Sequence, residues 1–247
     1  MLVRTLSLLG ECSINLKKAL FFIFQGKISL KNTIIQSAIL GFDSAPIALI
    51  ISMVSGAVLT LQVSKQFILN GADSYIGGLV AVSIIREMAP LFVALAVGAR
   101  AGTAIAAEIA TMKVTEQIDA LKLLKVDPIY YLVVPRLIAA TLMIPLITIL
   151  AEFLGIVGGM IVAKATVNLH FNRFIESVWQ YSKIYDIKVS LVKAMIFGLL
   201  IAIICTTIGL LTKGGAKEVG RSTTRAAIWL AAILIISDYL LTWIFYF

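Results

Sequence analysis

Several charged side chains stand inside stretches of the sequence that are otherwise apolar. Arg86 and Glu87 are the clearest pair, because an apolar run lies on either side of them. Charges within an apolar membrane span are costly, and they usually face the interior of a helix bundle or a transport path. Arg100 and Glu108 fall on the same helical face as Arg86, within about 80° at ~100° per residue, provided that Pro90 leaves the helix unbroken. The spacing predicts one polar face on this segment.

Two later carboxylates could supply acidic partners for that face. Glu152 and Asp238 lie in separate apolar stretches further along the chain. One interpretation is a structural ion-pair network that holds the helices together. The other is a direct role in the path of a transported molecule. The two interpretations are compatible, and the sequence leaves both open.

A second candidate site is the polar stretch that follows Glu108. It contains Val114, Thr115, Glu116, Gln117, Ile118, Asp119, Ala120 and Leu121. Thr115 can cap the start of a short helix, and acidic Glu116 and Asp119 suit its first turn. Lys122 and Lys125 suit the last turn of that helix. The pattern predicts a short capped helix between two apolar segments.

The same stretch has an apolar side and a clear end. Asp127-Pro128 stops the predicted helix. An apolar stripe runs along it, formed by Val114, Ile118, Leu121 and Leu124. A short helix with two faces between two spans is suited to press against a soluble partner. Periodicity alone allows a second interpretation, a helix that rests on the membrane surface.

The sequence contains no arrangement typical of a catalytic or metal site. His170 is the only histidine, and Cys12 is far from Cys205, which argues against a histidine triad, a multi-histidine metal site and a disulfide framework. Residues 215–222 have the G-x-x-x-x-G-x-S spacing of a phosphate-binding loop, but Arg221 stands in place of the lysine and no strand is expected before it. We expect a flexible basic turn there and no cofactor in this chain.

Composition indicates that membrane spans carry these residues. The chain of 247 residues is 60% hydrophobic and 14% charged, which leaves too little polar surface for a soluble globule. A membrane crossing needs ~20 mostly apolar residues. Five segments qualify, at 45–67, 77–110, 131–163, 190–212 and 226–246. The second and third exceed the required length and are expected to tilt, protrude, or bend at Pro90 and Pro145. Small residues at 98–102 and 155–159 match the pattern that allows helices to approach closely.

The start of the chain differs from the five spans. Residues 4–24 and 30–42 mix apolar residues with Lys, Asn, Gln and Ser, which suits amphipathic elbow helices in the membrane interface. Ordinary cytosolic helices packed on a partner are the alternative. The predicted fold is therefore an all-α polytopic membrane protein. It forms a single domain over 1–247, with elbow helices at 1–43 and a transmembrane bundle at 44–247.

Basic residues are distributed unevenly between the two sides of these spans. Thirteen fall on one side: Arg4, Lys17, Lys18, Lys27, Lys31, Lys113, Lys122, Lys125, Arg136, Lys213, Lys217, Arg221 and Arg225. Six fall on the other: Lys65, Lys164, Arg173, Lys183, Lys188 and Lys193. The positive-inside rule places the N-terminus and the second and fourth loops in the cytoplasm or its equivalent. The basic residues that give the net charge of +8 lie beside the spans and are not clustered with aromatic side chains. No nucleic-acid binding is therefore expected.

Several motifs in the chain together resemble the MlaE (YrbE) family of ABC permeases. The matching stretches are Arg86-Glu-Met-Ala-Pro90, Gly98-Ala-Arg-Ala-Gly-Thr103, Ala107-Glu-Ile109, Val114-Thr-Glu-Gln-Ile-Asp-Ala-Leu121, Asp127-Pro128, Pro135-Arg136 and Gly214-Gly-Ala-Lys-Glu-Val-Gly-Arg-Ser-Thr-Thr-Arg225. The resemblance runs from about Ser44 onward, is weakest in the amphipathic start, and is specific because unrelated motifs recur in order. Where many relatives have Gly, this chain has Ala89.

The resemblance implies a function for the chain as well as a fold. A member of this family is a homodimeric, non-catalytic permease that pairs with two copies of a cytoplasmic ABC ATPase, which binds the ATP and Mg. A mammalian-cell-entry-type lipid-binding protein is a further partner, and the cargo is a lipid such as phospholipid or phosphatidate. Residues 116–121 would be the coupling helix, and Arg86 and Glu87 would lie beneath the lipid cavity. The resemblance to the cyanobacterial and plastid-encoded branch implies a bacterial plasma membrane or a plastid inner envelope.

Two other functions compete with a lipid permease. A proton-coupled secondary transporter would use a relay of Arg86, Glu87, Glu152 and Asp238. The lack of a detectable inverted repeat among the five predicted spans argues against it. A membrane scaffold without transport activity is the second alternative.

Overall fold

All regular structure in the described part of the chain is helical. A computed structural model describes residues 2–247, with side chains from Ser7 onward. Met1 and the side chain of Arg4, both in the predicted elbow region, lie outside the described part. The α-helices are α1 (Leu2–Phe24), α2 (Leu30–Ser37), α3 (Ala45–Leu69), α4 (Ile76–Ser83), α5 (Ala89–Val97), α6 (Thr103–Val114), α7 (Gln117–Leu123), α8 (Val134–Val167), α9 (Phe171–Tyr181), α10 (Ile184–Leu210) and α11 (Ala216–Tyr246). Four π-turns lie between them, at Ala38–Phe42, Ile84–Met88, Gly98–Gly102 and Ile129–Val133.

Five helical segments of residues 2–247 are long and apolar enough to cross a membrane. They are Leu30–Leu69, Asp73–Val114, Ile129–Val167, Ile184–Leu210 and Ala216–Tyr246. The predicted all-α polytopic fold with five spans is therefore confirmed. The fourth segment begins at Ile184, six residues before the predicted start. Asp186 lies in its first turn and accepts a hydrogen bond from the backbone N–H of Lys183 at 3.1 Å, which stabilises the exposed helix end.

The flexible turn predicted at 215–222 was wrong, because α11 already begins at Ala216. The chain reverses at Gly214, whose φ of 117° is a conformation that glycine adopts readily. A hydrogen bond of 2.7 Å between the hydroxyls of Thr212 and Ser222 ties the end of α10 to the start of α11. No strand occurs anywhere from residue 2 to 247, so the phosphate-loop spacing lacks the strand that a P-loop requires.

The two segments predicted as elbow helices are helical, although the second of them, α2, forms the start of the first apolar helical segment Leu30–Leu69. Helix α1 contacts α10 and the π-turn Ile129–Val133, and the Asn15 amide donates a hydrogen bond to the Thr207 hydroxyl at 3.0 Å. Helix α2 packs on α8 and continues through the π-turn Ala38–Phe42 toward α3. Their location in the membrane interface stays a prediction.

Helices α3 and α8 form an extensive close contact through small residues. The buried side of α3 repeats every fourth residue, with Ala48, Ser52, Gly56, Thr60 and Ser64. The Ser52 hydroxyl donates to the Ala151 carbonyl of α8 at 2.6 Å. A Cβ at Gly158 would overlap the carbonyl oxygen of Met53, so the two backbones nearly touch. Van der Waals packing of this kind stabilises helix pairs in lipid, where apolar burial gives little driving force.

Replacing Gly56 with alanine should destabilise this contact. The new Cβ would overlap the carbonyl oxygen of Gly155, and a backbone atom cannot turn away as a side chain can. We expect Gly56→Ala to cost about 1–3 kcal/mol, seen as a lower unfolding temperature of the protein in detergent. Gly220→Ala is the matched control, because no atom lies within 4 Å of its added Cβ and alanine favours a helix. Equal unfolding temperatures of the two variants would contradict the close contact.

Candidate functional site

A buried lysine lies at the centre of the charged residues inside the bundle. Lys193 of α10 has 0% of its surface exposed, although its helix is one of the five spans. Its ammonium group lies within hydrogen-bond distance of four oxygen atoms, which share its three N–H donors: the Arg86 carbonyl at 2.9 Å, Glu87 Oε2 at 2.8 Å, Asp238 Oδ1 at 3.1 Å and Thr242 Oγ1 at 2.7 Å. Because a buried charge is tolerated only when it is paired and hydrogen-bonded, these partners are what allow the lysine to lie there.

The carbonyl of Arg86 is available to Lys193 because of a proline one turn later. In an α-helix this carbonyl would accept from the N–H of residue 90, but Pro90 has no N–H. The π-turn Ile84–Met88 opens the helix at the same place. The lysine ammonium donates to this oxygen atom, which lacks its usual α-helical donor.

Arg86 extends the network toward the end of the bundle that carries α9. Its Nε lies 2.8 Å from Asp186 Oδ1, an ion pair with a carboxylate at the start of α10. The guanidinium lies over the Tyr246 ring, 4.5 Å from its centroid, and the Tyr246 hydroxyl donates to Asp186 at 3.3 Å. We call the whole group the Lys193 cluster: Arg86, Glu87, Asp186, Lys193, Asp238, Thr242 and Tyr246.

The Lys193 cluster is open on one side. The side chains of Arg86 and Glu87 are 33% and 38% exposed, whereas those of Asp186 and Lys193 are almost completely covered. An exposed cation and an exposed anion on adjacent residues can bind a polar or zwitterionic group. Within the described residues, no group of three or more His, Cys, Asp or Glu could hold a metal ion. The cluster therefore has the chemistry of a polar binding surface inside an apolar bundle.

The predicted single polar face of the second span was wrong. Arg100 donates to the Ser44 hydroxyl at 3.1 Å, and Glu108 pairs with Arg136 at 2.7 Å. Neither contact involves the Lys193 cluster. The π-turns Ile84–Met88 and Gly98–Gly102 are the reason, since an extra residue in a turn rotates everything beyond it by roughly 100°.

The two later carboxylates have different surroundings. Asp238 belongs to the Lys193 cluster, where its partner is the lysine rather than an arginine. Glu152 is buried and accepts a short hydrogen bond from the Ser190 hydroxyl, with no ion pair among the described side chains. The expectation that Glu152 would pair with the arginine-bearing face was therefore wrong.

Lys193 and Asp186 were missed as candidate residues from the sequence. Lys193 was counted among the six basic residues that flank the spans on the far side. The span starts at Ile184 and not at residue 190, so Lys193 lies nine residues into the helix, about 14 Å from its start. The signal that could have found it is Asp186 in the first helical turn, which marks the true start of α10. Five basic residues remain on the far side, and the asymmetry keeps its direction.

The short helix predicted between the second and third spans is confirmed as α7, but its ends differ from the prediction. Thr115 does not cap α7, because its hydroxyl donates to the Thr111 carbonyl at the end of α6. Glu116 instead forms the corner between the two helices, with a left-handed φ of 62°. Helix α7 ends at Leu123, so Lys125 lies beyond it. Asp127 accepts the backbone N–H of Ile129 at 2.8 Å and so helps to start the third span.

Asp119 forms one ion pair within α7 and one that ties α7 to the end of α6. Asp119 contacts Lys122 at 2.9 Å and Lys113 at 3.1 Å. The hydrogen bond from Lys122, followed by that from Lys113, lowers the pKa of Asp119 below its ordinary value. A lowered pKa in the folded state means that these pairs persist at neutral pH and are lost only as the pH falls through that lowered value. Asp119 therefore stays ionised near neutral pH and keeps both ion pairs there.

Three residues of the predicted apolar stripe face the protein, but its fourth, Leu124, is exposed together with Leu123. Ile118 is buried and Leu121 packs against the core, while Val114 is half-buried. Leu123 and Leu124 at the end of α7 are exposed. We call these two residues the α7 tip. The polar positions of the stretch that are exposed with it are Thr115, Glu116 and Gln117, together with Ala120.

Comparisons with known proteins place this chain among membrane transport proteins. A family model described as "Permease MlaE" matches residues 33–244. "Probable ABC transporter permease protein slr1045" of Synechocystis sp. is 43% identical over 224 residues, which cover 91% of this chain and 85% of that protein. "Protein TRIGALACTOSYLDIACYLGLYCEROL 1, chloroplastic" of Arabidopsis thaliana is 34% identical over 224 residues, 91% of this chain and 64% of that protein. "Probable ABC transporter permease protein ycf63" of Pyropia yezoensis is 34% identical over 217 residues, 88% and 82% of the two chains.

Replacing Lys193 with methionine should strongly destabilise the bundle. The change removes the cation and leaves Glu87 and Asp238 close together without it, at an expected cost of about 3–5 kcal/mol. The measurement is the unfolding temperature in detergent, with Lys188→Met on the exposed side of α10 as the control.

A compensating variant separates lost pairing from lost volume. Adding Glu87→Gln and Asp238→Asn to Lys193→Met removes both unpaired carboxylates, and most of the stability should return. If the triple variant stayed as unstable as Lys193→Met, charge pairing would not be what stabilises this part of the bundle.

Proposed function

The chain belongs to the MlaE family of ABC transporter permeases, and from this premise we propose that it moves lipids between membranes as the membrane subunit of a transporter. The proposed cargo is a lipid of the phospholipid or phosphatidate class. The name of the Arabidopsis relative refers to a glycolipid, which supports a lipid as the transported class. Chemical energy would come from a separate ATPase, so the chain itself would be non-catalytic.

The observation that carries this proposal is the open side of the Lys193 cluster. Arg86 and Glu87 leave about a third of their side chains uncovered within a membrane span. Charge exposed to hydrocarbon costs about 2.5–3.5 kcal/mol per residue at the centre of a span, so this surface is expected to face a cavity. A lipid brings a polar head group and apolar chains together, and a half-open charged cluster in an apolar wall fits such a molecule.

We propose a homodimer in which two copies enclose the cavity. Helix α11 supports this, because it is buried along one stripe only, with a buried residue at every fourth position from Ser222 to Asp238. Its other side exposes large side chains such as Ile235, Tyr239 and Trp243. A second copy packed near α11 would cover the cluster to which Asp238 and Thr242 contribute.

We propose that α7 is the coupling helix, which docks on the partner ATPase that holds the ATP and Mg²⁺. An ion pair between Asp119 and Lys113 and the buried side chain of Ile118 attach α7 to the bundle, and the α7 tip offers a small apolar anchor at its end. The residues assigned to this contact are those of 114–121 together with the tip. A lipid-binding protein of the mammalian-cell-entry type would act on the opposite side of the membrane.

The proposed orientation puts α7 and the N-terminal helix in the cytoplasm or stroma. Helix α1 and the segment around α7 border one cavity, with Glu11 and Lys18 on one wall and Lys122 and Asp127 on the other. This proximity agrees with both lying on the same side. The membrane would be a bacterial plasma membrane or a plastid inner envelope, as the cyanobacterial and plastid relatives suggest.

In the proposed mechanism, closure of two ATPases on ATP would push the coupling helices and rock the two bundles. The cavity between them would narrow, and the lipid would pass to or from the lipid-binding protein. A proton-coupled secondary transporter finds less support, because Glu152 of the suggested relay has no hydrogen bond to the Lys193 cluster in the described chain. Membership in an ABC permease family also argues against that mechanism and against a passive scaffold.

Placing a charge at the α7 tip should weaken ATPase binding. Leu123 and Leu69 each end a helix and are each 86% exposed, but Leu69 precedes the second span and Leu123 follows it, so they lie beyond its opposite ends. We expect Leu123→Asp to weaken co-purification of the ATPase by about 10-fold or more, since an apolar anchor at an interface contributes about 2 kcal/mol. Leu69→Asp should leave binding unchanged. Equal recovery of the ATPase with both variants would contradict the proposal that the ATPase docks on the α7 tip.

Removing the exposed charge of Glu87 should impair lipid handling without loss of the ATPase. Glu87→Gln keeps the shape of the side chain but weakens charge-assisted hydrogen bonds, so we expect about a 10-fold drop in lipid transfer between reconstituted vesicles. Glu176→Gln in exposed α9 is the control. Unchanged transfer by Glu87→Gln would mean that the Lys193 cluster is structural only.

A further inference from the structure

Helix α9, which lies between the third and fourth spans, has one face fixed against the bundle. Phe174 and Ser177 are buried, and the backbone N–H of Gly78 in α4 donates to the Ser177 hydroxyl at 2.9 Å. A Cβ at Gly77 would overlap the carbonyl oxygen of Phe174, so α4 and α9 are in backbone contact. This close contact determines which side of α9 turns outward.

The outward side of α9 is divided into an apolar face and a polar face. Phe171, Ile175 and Trp179 recur every fourth residue, lie within about 80° of one another, and are exposed. Trp179 is 80% exposed. The polar face adjoins them and contains Asn172, Arg173, Glu176 and Gln180, all exposed. We call the three apolar residues the α9 stripe, which lies between the face that packs on α4 and the polar face.

Short links hold α9 at the surface of the membrane. Only residues 168–170 separate it from α8, and only 182–183 separate it from α10. Helices α8 and α10 are both spans. Because each residue of extended chain covers at most ~3.6 Å, neither end of α9 can move far from the ends of those spans. The helix must therefore lie where the third span ends and the fourth begins.

Aromatic side chains mark the same level of the bundle. The Tyr181 ring at the end of α9 lies 5.4 Å from that of Tyr75, just before α4. Tyr185, two residues into α10, donates to the Phe245 carbonyl at the end of α11 at 3.0 Å. Trp and Tyr concentrate where a membrane protein passes through the head-group region. Trp179 is thus close in sequence to a belt of this kind.

We propose that α9 is an interfacial helix whose α9 stripe inserts into the lipid leaflet opposite the coupling helix. The polar face then meets water, and the third face packs on α4. A helix with these three sides, lying flat at the boundary, exposes no apolar side chain to water and no charge to hydrocarbon. The insertion pins the starts of α4 and α10 at a fixed depth, and with them Asp186 of the Lys193 cluster.

The position of Trp179 can be measured with the intact chain in lipid bilayers. Trp229→Phe and Trp243→Phe leave Trp179 as the only tryptophan of the 247 residues. The variant is reconstituted in phosphatidylcholine vesicles with bromine atoms near the top of the acyl chains. We expect the emission of Trp179 to be blue-shifted. Bromines near the top of the acyl chains should quench it more strongly than bromines near the ends of the acyl chains.

A tryptophan one residue further along gives the matched control. In a chain without the three native tryptophans, Gln180→Trp puts the probe on the polar face, ~100° around the helix. Its emission should be typical of water and insensitive to brominated lipid. Water-like, unquenched Trp179 would overturn the proposal. So would blue-shifted Trp179 that bromine does not quench, which means that protein, such as a second copy, covers the α9 stripe. Quenching of Gln180→Trp to the same extent would overturn the three-sided arrangement.

Discussion

An ammonium group inside an apolar bundle must be surrounded by oxygen atoms, and this requirement on Lys193 constrains the whole region around it. Two parts of the chain supply the oxygens: the π-turn of the second span, through Arg86 and Glu87, and the fifth span, through Asp238 and Thr242. The missing N–H of Pro90 and the extra residue of the π-turn are local defects in an isolated helix. In the bundle they are what exposes a carbonyl to the lysine.

The other side of the bundle is held together differently. Between α3 and α8, small residues bring the backbones into contact, and shape rather than charge determines the packing. A contact of this kind has one good arrangement, because any rotation produces backbone overlap. Ion pairs with a solvent-exposed side can exchange partners at smaller cost. We therefore expect conformational change to occur among the second, fourth and fifth spans, while α3 and α8 move as one body.

The five spans could be predicted because a lipid environment forces backbone groups to pair within each helix, and long apolar runs follow from that constraint. Helix α7 could be predicted because an acidic start and basic end are local signals. The partners of the charged residues could not be predicted from the sequence. A π-turn has no reliable sequence signal, so the rotation that separates Arg100 and Glu108 from Arg86 was invisible. Lys193 was misjudged because the start of a span is the least certain part of a hydropathy pattern. The corner at Glu116 was missed because residues other than glycine rarely adopt the left-handed backbone conformation found there.

Helix α10 runs from the Lys193 cluster to the cavity that α7 borders. Its first turn carries Asp186 of the Lys193 cluster, and it ends at Leu210, which borders the same cavity as Ile118 of α7. Its 27 residues span about 40 Å as a single rigid element. A displacement of α7 would therefore reach Lys193 as a shift or tilt of one helix, without a chain of side-chain movements. Rigid transmission becomes coupling only if the far end has two arrangements. The uncovered sides of Arg86 and Glu87 are where a second arrangement has room to form, and there a lipid head group and the lysine would compete for the same carboxylate.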